Sequence, residues 1–135
     1  MKAYTDLEQS KVLTKILPLK SADMFYSDIF IDGEHKYNFH YLETYGFKTF
    51  KDTKQKESKH LSFLPCWSLA ALLNIIPKRI KEDNVLRIDV GEKDSSIWYD
   101  ELGYGVNNDL PDITTESAVD SCYEMIIKLY KLKML

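Results

Sequence analysis

Two cysteines, three histidines, an acidic loop and a lysine-rich run are the residues of this chain whose types lend themselves to chemistry. A catalytic cysteine needs a thiolate, stabilised by a cation or a helix N-terminus, and a histidine base. Cys66 and Cys122 both stand near the start of an expected helix, but among apolar neighbours. Free cysteine in such surroundings is a small buried hydrophobe, and packing is the expected role of both. No Cys-x-x-Cys pair or second ligand cluster accompanies them, so no zinc site is expected. His35 and His40 are separated by an odd number of residues, which puts them on opposite faces of a strand and argues against a shared metal. With His60 they read as surface or loop histidines.

Asn107, Asn108, Asp109, Asp112 and Glu116 supply oxygens of the kind calcium prefers. Their spacing fits no EF-hand loop and lacks its central glycine, so turn and cap chemistry is the expectation. Lys51, Lys54, Lys56 and Lys59 are candidate phosphate contacts. Flanked by Phe47, Phe50 and Phe63, they resemble the basic, aromatic groove that holds single-stranded nucleic acid. Asp52 and Glu57 interrupt them, and the whole chain has a formal net charge of -3. That balance speaks against a constitutive nucleic-acid binder. No phosphate-cradling glycine motif, nucleophile elbow or paired helical histidine occurs. The expectation is a chain with no catalytic residue, no cofactor and no metal. What stands out is aromatic surface: Tyr37, Tyr41, Tyr45, Trp98 and Tyr104 are candidate interaction residues, since tyrosine and tryptophan anchor interfaces.

The elements that must position these residues follow from pattern. At 135 residues, 44% hydrophobic and 29% charged, the chain suits one soluble domain, residues 1–135. Met1 to Asp6 contains no apolar h-region, so a cytoplasmic protein is expected, without a membrane segment. Thr5-Asp6-Leu7-Glu8 has the form of a capping box with Thr5 as N-cap, opening a helix that runs to about Leu17 before Pro18. Met24 to Ile31 is rich in aromatic and β-branched residues. Asp32-Gly33 then signals a tight hairpin, beyond which Tyr37, Phe39 and Tyr41 alternate with polar residues. Tyr45, Phe47 and Phe50 suggest a further strand. Residues 51–60 contain no apolar side chain and read as an exposed loop.

Pro65 to Pro77 is the most apolar run. It reads as a core helix starting at Pro65 or at a Ser68 N-cap, with Trp67 and Leu72 placed to form a hydrophobic staple. Leu86, Ile88 and Val90 alternate along one strand face and should be buried. Gly91 to Asp94 turns the chain into a second strand, Ser95 to Asp100. Gly103 and Gly105 bracket Tyr104 in a loop. Ser117-Ala118-Val119-Asp120 caps a last helix whose apolar positions are Val119, Cys122, Tyr123, Ile126, Leu129 and Tyr130. The order predicts an α+β fold: a two-layer domain with an antiparallel sheet of about four to five strands covered by three helices.

Three blocks carry a resemblance: Leu7-Glu8-Gln9-Ser10 through Ser21-Ala22-Asp23-Met24, Pro65-Cys66-Trp67-Ser68-Leu69-Ala70-Ala71-Leu72-Leu73, and Cys122-Tyr123-Glu124-Met125-Ile126. They look like a group of small proteins of gut Bacteroidetes genomes and their phages or mobile elements. The group has no known activity, so the resemblance implies an accessory gene product and assigns no functional residue. The expected function is a small non-enzymatic interaction or regulatory module that binds a protein partner or itself, with weak single-strand binding by the 51–59 lysines as the alternative.

Overall fold

In the computed structural model Asp6, and not Thr5, caps the first helix, α1 (Leu7–Thr14). The structure describes residues 2–31, 34–41 and 61–135, with the side chains of 2–26 and 64–135. The Asp6 carboxylate accepts from the Gln9 amide at 2.8 Å, and the Gln9 side chain accepts from the Asp6 amide at 3.1 Å. Two orphan amides are thus satisfied reciprocally. Thr5 is fully buried instead, because its hydroxyl is claimed by a distant part of the chain. It accepts from the Trp67 amide at 3.1 Å and shares a 2.8 Å hydrogen bond with Ser10 Oγ. α1 ends at Thr14, short of the expected Leu17. A turn and Pro18 lead into a short 3-10 helix, Leu19–Ser21.

β1 (Met24–Ile31) and β2 (Glu34–Tyr41) form the expected hairpin, with Ile31 opposite Glu34. The turn residues 32–33, the further strand expected after Tyr41, and the 51–60 loop lie outside the described residues. β3 (Leu61–Cys66) pairs antiparallel with the other side of β1, giving the order β2-β1-β3. This corrects the reading of Pro65 and Cys66 as a helix start. Among the described residues Pro65 sits opposite Phe25 on the edge strand of its sheet, a setting where a missing N–H need not break a ladder. The helix α2 (Leu69–Ile75) begins only afterwards. Ser68 Oγ accepts from the Ala71 amide at 3.2 Å, so Ser68 is the cap. Asp23 holds Ser68 in turn, accepting from its amide at 2.9 Å and from its hydroxyl.

The second sheet contains β4 (Arg79–Ile80), β5 (Asn84–Val90), β6 (Ser95–Glu101), β7 (Gly105–Val106) and β8 (Ile113–Thr115). It is antiparallel, in the order β4-β5-β6-β7, and β8 also pairs with β6. The expected β5–β6 hairpin is present, but β5 does not bury its apolar face. Ile88 and Val90 are exposed, because the last helix, α3 (Ala118–Lys131), packs on β6 and β8. Ser117 caps α3, its hydroxyl accepting from the Asp120 amide at 3.1 Å. The reciprocal half of the expected box is replaced: the Ser117 amide donates to Thr115 Oγ1 at 3.3 Å, and the Asp120 carboxylate accepts from Lys2 at 2.7 Å.

The fold is α+β, with three α-helices among the described residues. The strands of the described residues are divided between two antiparallel sheets, of three and five strands, where the sequence suggested one. The chain forms two compact units, Tyr4–Ala71 and Met1–Ala3 with Leu72–Leu135, and the division falls inside α2. In the first, Met24, Tyr26 and Cys66 form a buried cluster with Tyr4, Leu7 and Leu64 packed against it. In the second, Ile97, Tyr99, Val119, Cys122, Met125, Ile126 and Leu129 are fully buried. No helix among the described residues is long and apolar enough to cross a membrane.

Candidate functional site

The two cysteines take the packing role expected of them. Both are free and fully buried. Burial pushes the Cys66 thiol up in pKa, against the opposing pull of hydrogen bonds from Thr5, Ser10 and Tyr26. Burial likewise pushes Cys122 up to about 11, with a smaller opposing effect from Lys78. Both sites hold the neutral thiol at neutral pH, the reverse of what a nucleophile needs. Cys66 lies in a polar knot instead: its thiol donates to the Thr5 carbonyl at 3.4 Å, and the Tyr26 hydroxyl donates to the same carbonyl at 2.8 Å.

Asn107 and Asp109 form the turn expected of them. The Asp109 amide donates to Asn107 Oδ1 at 2.9 Å, and Asn107 Nδ2 donates to Asn84 Oδ1 at 2.8 Å. No group of three metal-ligating side chains occurs among the described residues. A shallow open groove in the first unit is lined by Asp6, Leu7, Glu8 and Tyr26. The Asp6 carboxylate there is already the cap of α1.

The candidate interaction residues are dispersed. Tyr37 and Tyr41 belong to β2, opposite Asp28 and Met24 respectively. Tyr45 and the lysines at 51, 54, 56 and 59 lie outside the described residues. His35 and His40 also fall in β2, opposite Phe30 and Phe25. Trp98 and Tyr104 both belong to the second unit, and here the geometry is informative. Trp98 lies near the middle of β6, half-buried and opposite Arg87. Its indole N–H donates to Asp100 Oδ1 at 2.8 Å, while Arg87 Nε donates to Asp100 Oδ2 at 3.3 Å. One carboxylate thus holds both the indole ring and the guanidinium in place on the sheet.

β6 then leads into the turn that carries Tyr104. Leu102, Tyr104 and Val106 are 48%, 84% and 46% exposed. Gly103 and Gly105 have φ of 87° and 83°, a left-handed geometry that glycine adopts freely. The turn is anchored at its base: the Leu102 amide donates to the Asp83 carbonyl at 2.8 Å, and the Tyr104 amide to the Glu101 carbonyl at 2.9 Å. Three apolar side chains are therefore presented to solvent on a fixed support. The surrounding stretch of chain is acidic, since residues 84–115 hold seven carboxylates against Arg87 and Lys93.

A second exposed apolar group was not legible in the sequence. Tyr130, assigned to the buried side of the last helix, is exposed, as are Leu132 and Leu135. Their neighbours Lys128, Lys131 and Lys133 are exposed too, and residues 128–135 contain no acidic side chain. The helical spacing of Tyr130 gave no sign that α3 runs out here. The chain turns at Lys133, which adopts φ 58°, with Met134 N donating to the Leu129 carbonyl at 2.9 Å and Lys133 N to the Tyr130 carbonyl at 3.0 Å. That is a Schellman ending with lysine where glycine is usual.

No protein-family model, no curated protein and no solved structure matches this chain.

Proposed function

We propose that this chain is a small non-enzymatic interaction module that binds a protein partner through the Leu102–Val106 turn, with Trp98 and Arg87 on the adjoining sheet face. The observation that carries this reading is the 84% exposure of Tyr104 between two exposed aliphatic side chains. Apolar side chains grouped on a surface mark contact sites, and tyrosine is favoured among the residues that dominate binding energy. Anchored at Asp83 and Glu101, the turn loses little freedom on docking, which limits the entropic cost of association. Two buried thiols with raised pKa values suit a module without thiol chemistry working in a reducing cytoplasm. The resemblance to small proteins of gut Bacteroidetes genomes and their phages or mobile elements supports reading it as an accessory gene product.

The test is a photo-crosslinking amino acid at position 104 of the full chain, expressed in the native host. Discrete protein adducts are expected, and Tyr104→Asp should abolish the same complex while leaving the unfolding midpoint of the free chain unchanged. Irradiation that yields no protein adduct from position 104 would remove the reading.

A further inference from the structure

We propose that a partner of this module is a second copy of the chain: the Leu102–Val106 turn of one protomer docks against the basic end of α3 on another. The inference rests on the reading of the Tyr104 turn as a contact site and commits that site to one occupant. Besides Ile88 and Val90 on β5, the second unit carries two exposed apolar groups of opposite electrostatic character. Leu102, Tyr104 and Val106 lie in an acidic stretch of chain, with Asp100 and Glu101 just before the turn and Asp109 and Asp112 after it. Tyr130, Leu132 and Leu135 lie among Lys128, Lys131 and Lys133. Each group offers what the other lacks. Docking buries apolar surface on both sides, sets lysine ammonium groups near the Tyr104 ring, and matches cations to carboxylates.

The balance of charge also argues for a local match. Two copies of a chain with net charge -3 repel each other weakly at long range. Association must then come from close contact between the two groups, and salt must weaken it. Two copies related by a two-fold axis would form the contact twice and close as an isologous dimer, whereas any other relation makes it heterologous and gives a ring or an open chain.

Sedimentation equilibrium across low to high micromolar concentrations, at low and high salt, tests the proposal. The chain is expected to associate with rising concentration and to dissociate at high salt. Tyr104→Asp should weaken association by about tenfold or more, the scale of a lost anchor. A lysine-reversed variant (Lys128→Glu, Lys131→Glu, Lys133→Glu) and an acid-reversed variant (Glu101→Lys, Asp109→Lys, Asp112→Lys) should each be monomeric alone. Mixed together they should form a one-to-one complex.

A wild-type chain that is monomeric throughout overturns the proposal, as does association that neither reversal changes. A monomer that binds oligothymidine through Lys128, Lys131 and Lys133 would also overturn it. A monomer that still crosslinks from position 104 to a different protein would leave the binding reading standing and this inference refuted.

Discussion

Thr5 has no exposed surface and yet serves four partners. Its amide donates to the Trp67 carbonyl at 2.9 Å, its carbonyl accepts from Tyr26 and Cys66, and its hydroxyl serves Ser10 and Trp67. Replacing it by valine keeps the volume but strips the hydroxyl, leaving the Trp67 amide and the Ser10 hydroxyl buried without that partner. Each such orphan costs about 1–3 kcal/mol. Thr5→Val should therefore lower stability by about 2–4 kcal/mol in urea denaturation, and Thr5→Ser by much less. Ser95 is the opposite case. Its Oγ is buried without a hydrogen-bond partner, while its carbonyl accepts from Ser121. Ser95→Ala should raise stability by about 1 kcal/mol, since only a desolvation cost is removed. A loss of stability would show that the hydroxyl has a partner.

At the scale of elements, α2 separates two adjacent leucines. Leu72 is fully buried and Leu73 only half so. Leu72→Ala should cost about 2–5 kcal/mol and Leu73→Ala clearly less, a difference that thermal or urea unfolding will read directly. Elements whose signal is local were legible. The β1–β2 and β5–β6 hairpins, the Ser68 cap of α2 and the body of α3 all follow from turn residues, caps and period. Elements decided by distant partners were not. Thr5-Asp6-Leu7-Glu8 and Asp6-Leu7-Glu8-Gln9 are equally good capping boxes, and only the claim of Trp67 on Thr5 chooses between them. β3 contains a proline and owes its existence to β1, forty residues earlier in places (Phe25 opposite Pro65). Leu86, Ile88 and Val90 alternate correctly, but which strands a helix covers is not written in the strand. For the candidate site, the glycines around Tyr104 flagged the turn, whereas the basic end of α3 was masked by a helical pattern that continues past its burial.

Among the described residues, four neutral acids lie in the interior. Burial raises the pKa of Cys66, Cys122, Tyr26 and Tyr99. In the unfolded chain they ionise near their ordinary values, about 8.5 for thiols and 10 for phenols. An acid whose folded pKa is raised stabilises the fold fully below its unfolded pKa, and loses that contribution as pH climbs through the folded value. Stability should therefore be flat near neutrality and fall above about pH 8.5. Cys122 alone, pushed up to about 11, should account for a loss of about 3 kcal/mol by pH 11. Cys122→Ala should flatten the profile between about pH 9 and 11 relative to wild type, whatever its effect at neutral pH. An unchanged slope would refute this account.

The division of the chain inside α2 has a spectroscopic consequence. Each unit contains one of the two tryptophans: Trp67 fully buried with its N–H on Ser21 Oγ at 2.9 Å, and Trp98 half-buried with its N–H on Asp100. Trp98→Phe leaves an emitter that reports on the first unit, and Trp67→Phe one that reports on the second. Neither unit retains more than a fragment of α2 when the other unfolds, and a helical fragment of three or four residues cannot persist alone. The two emitters should therefore shift at the same denaturant concentration.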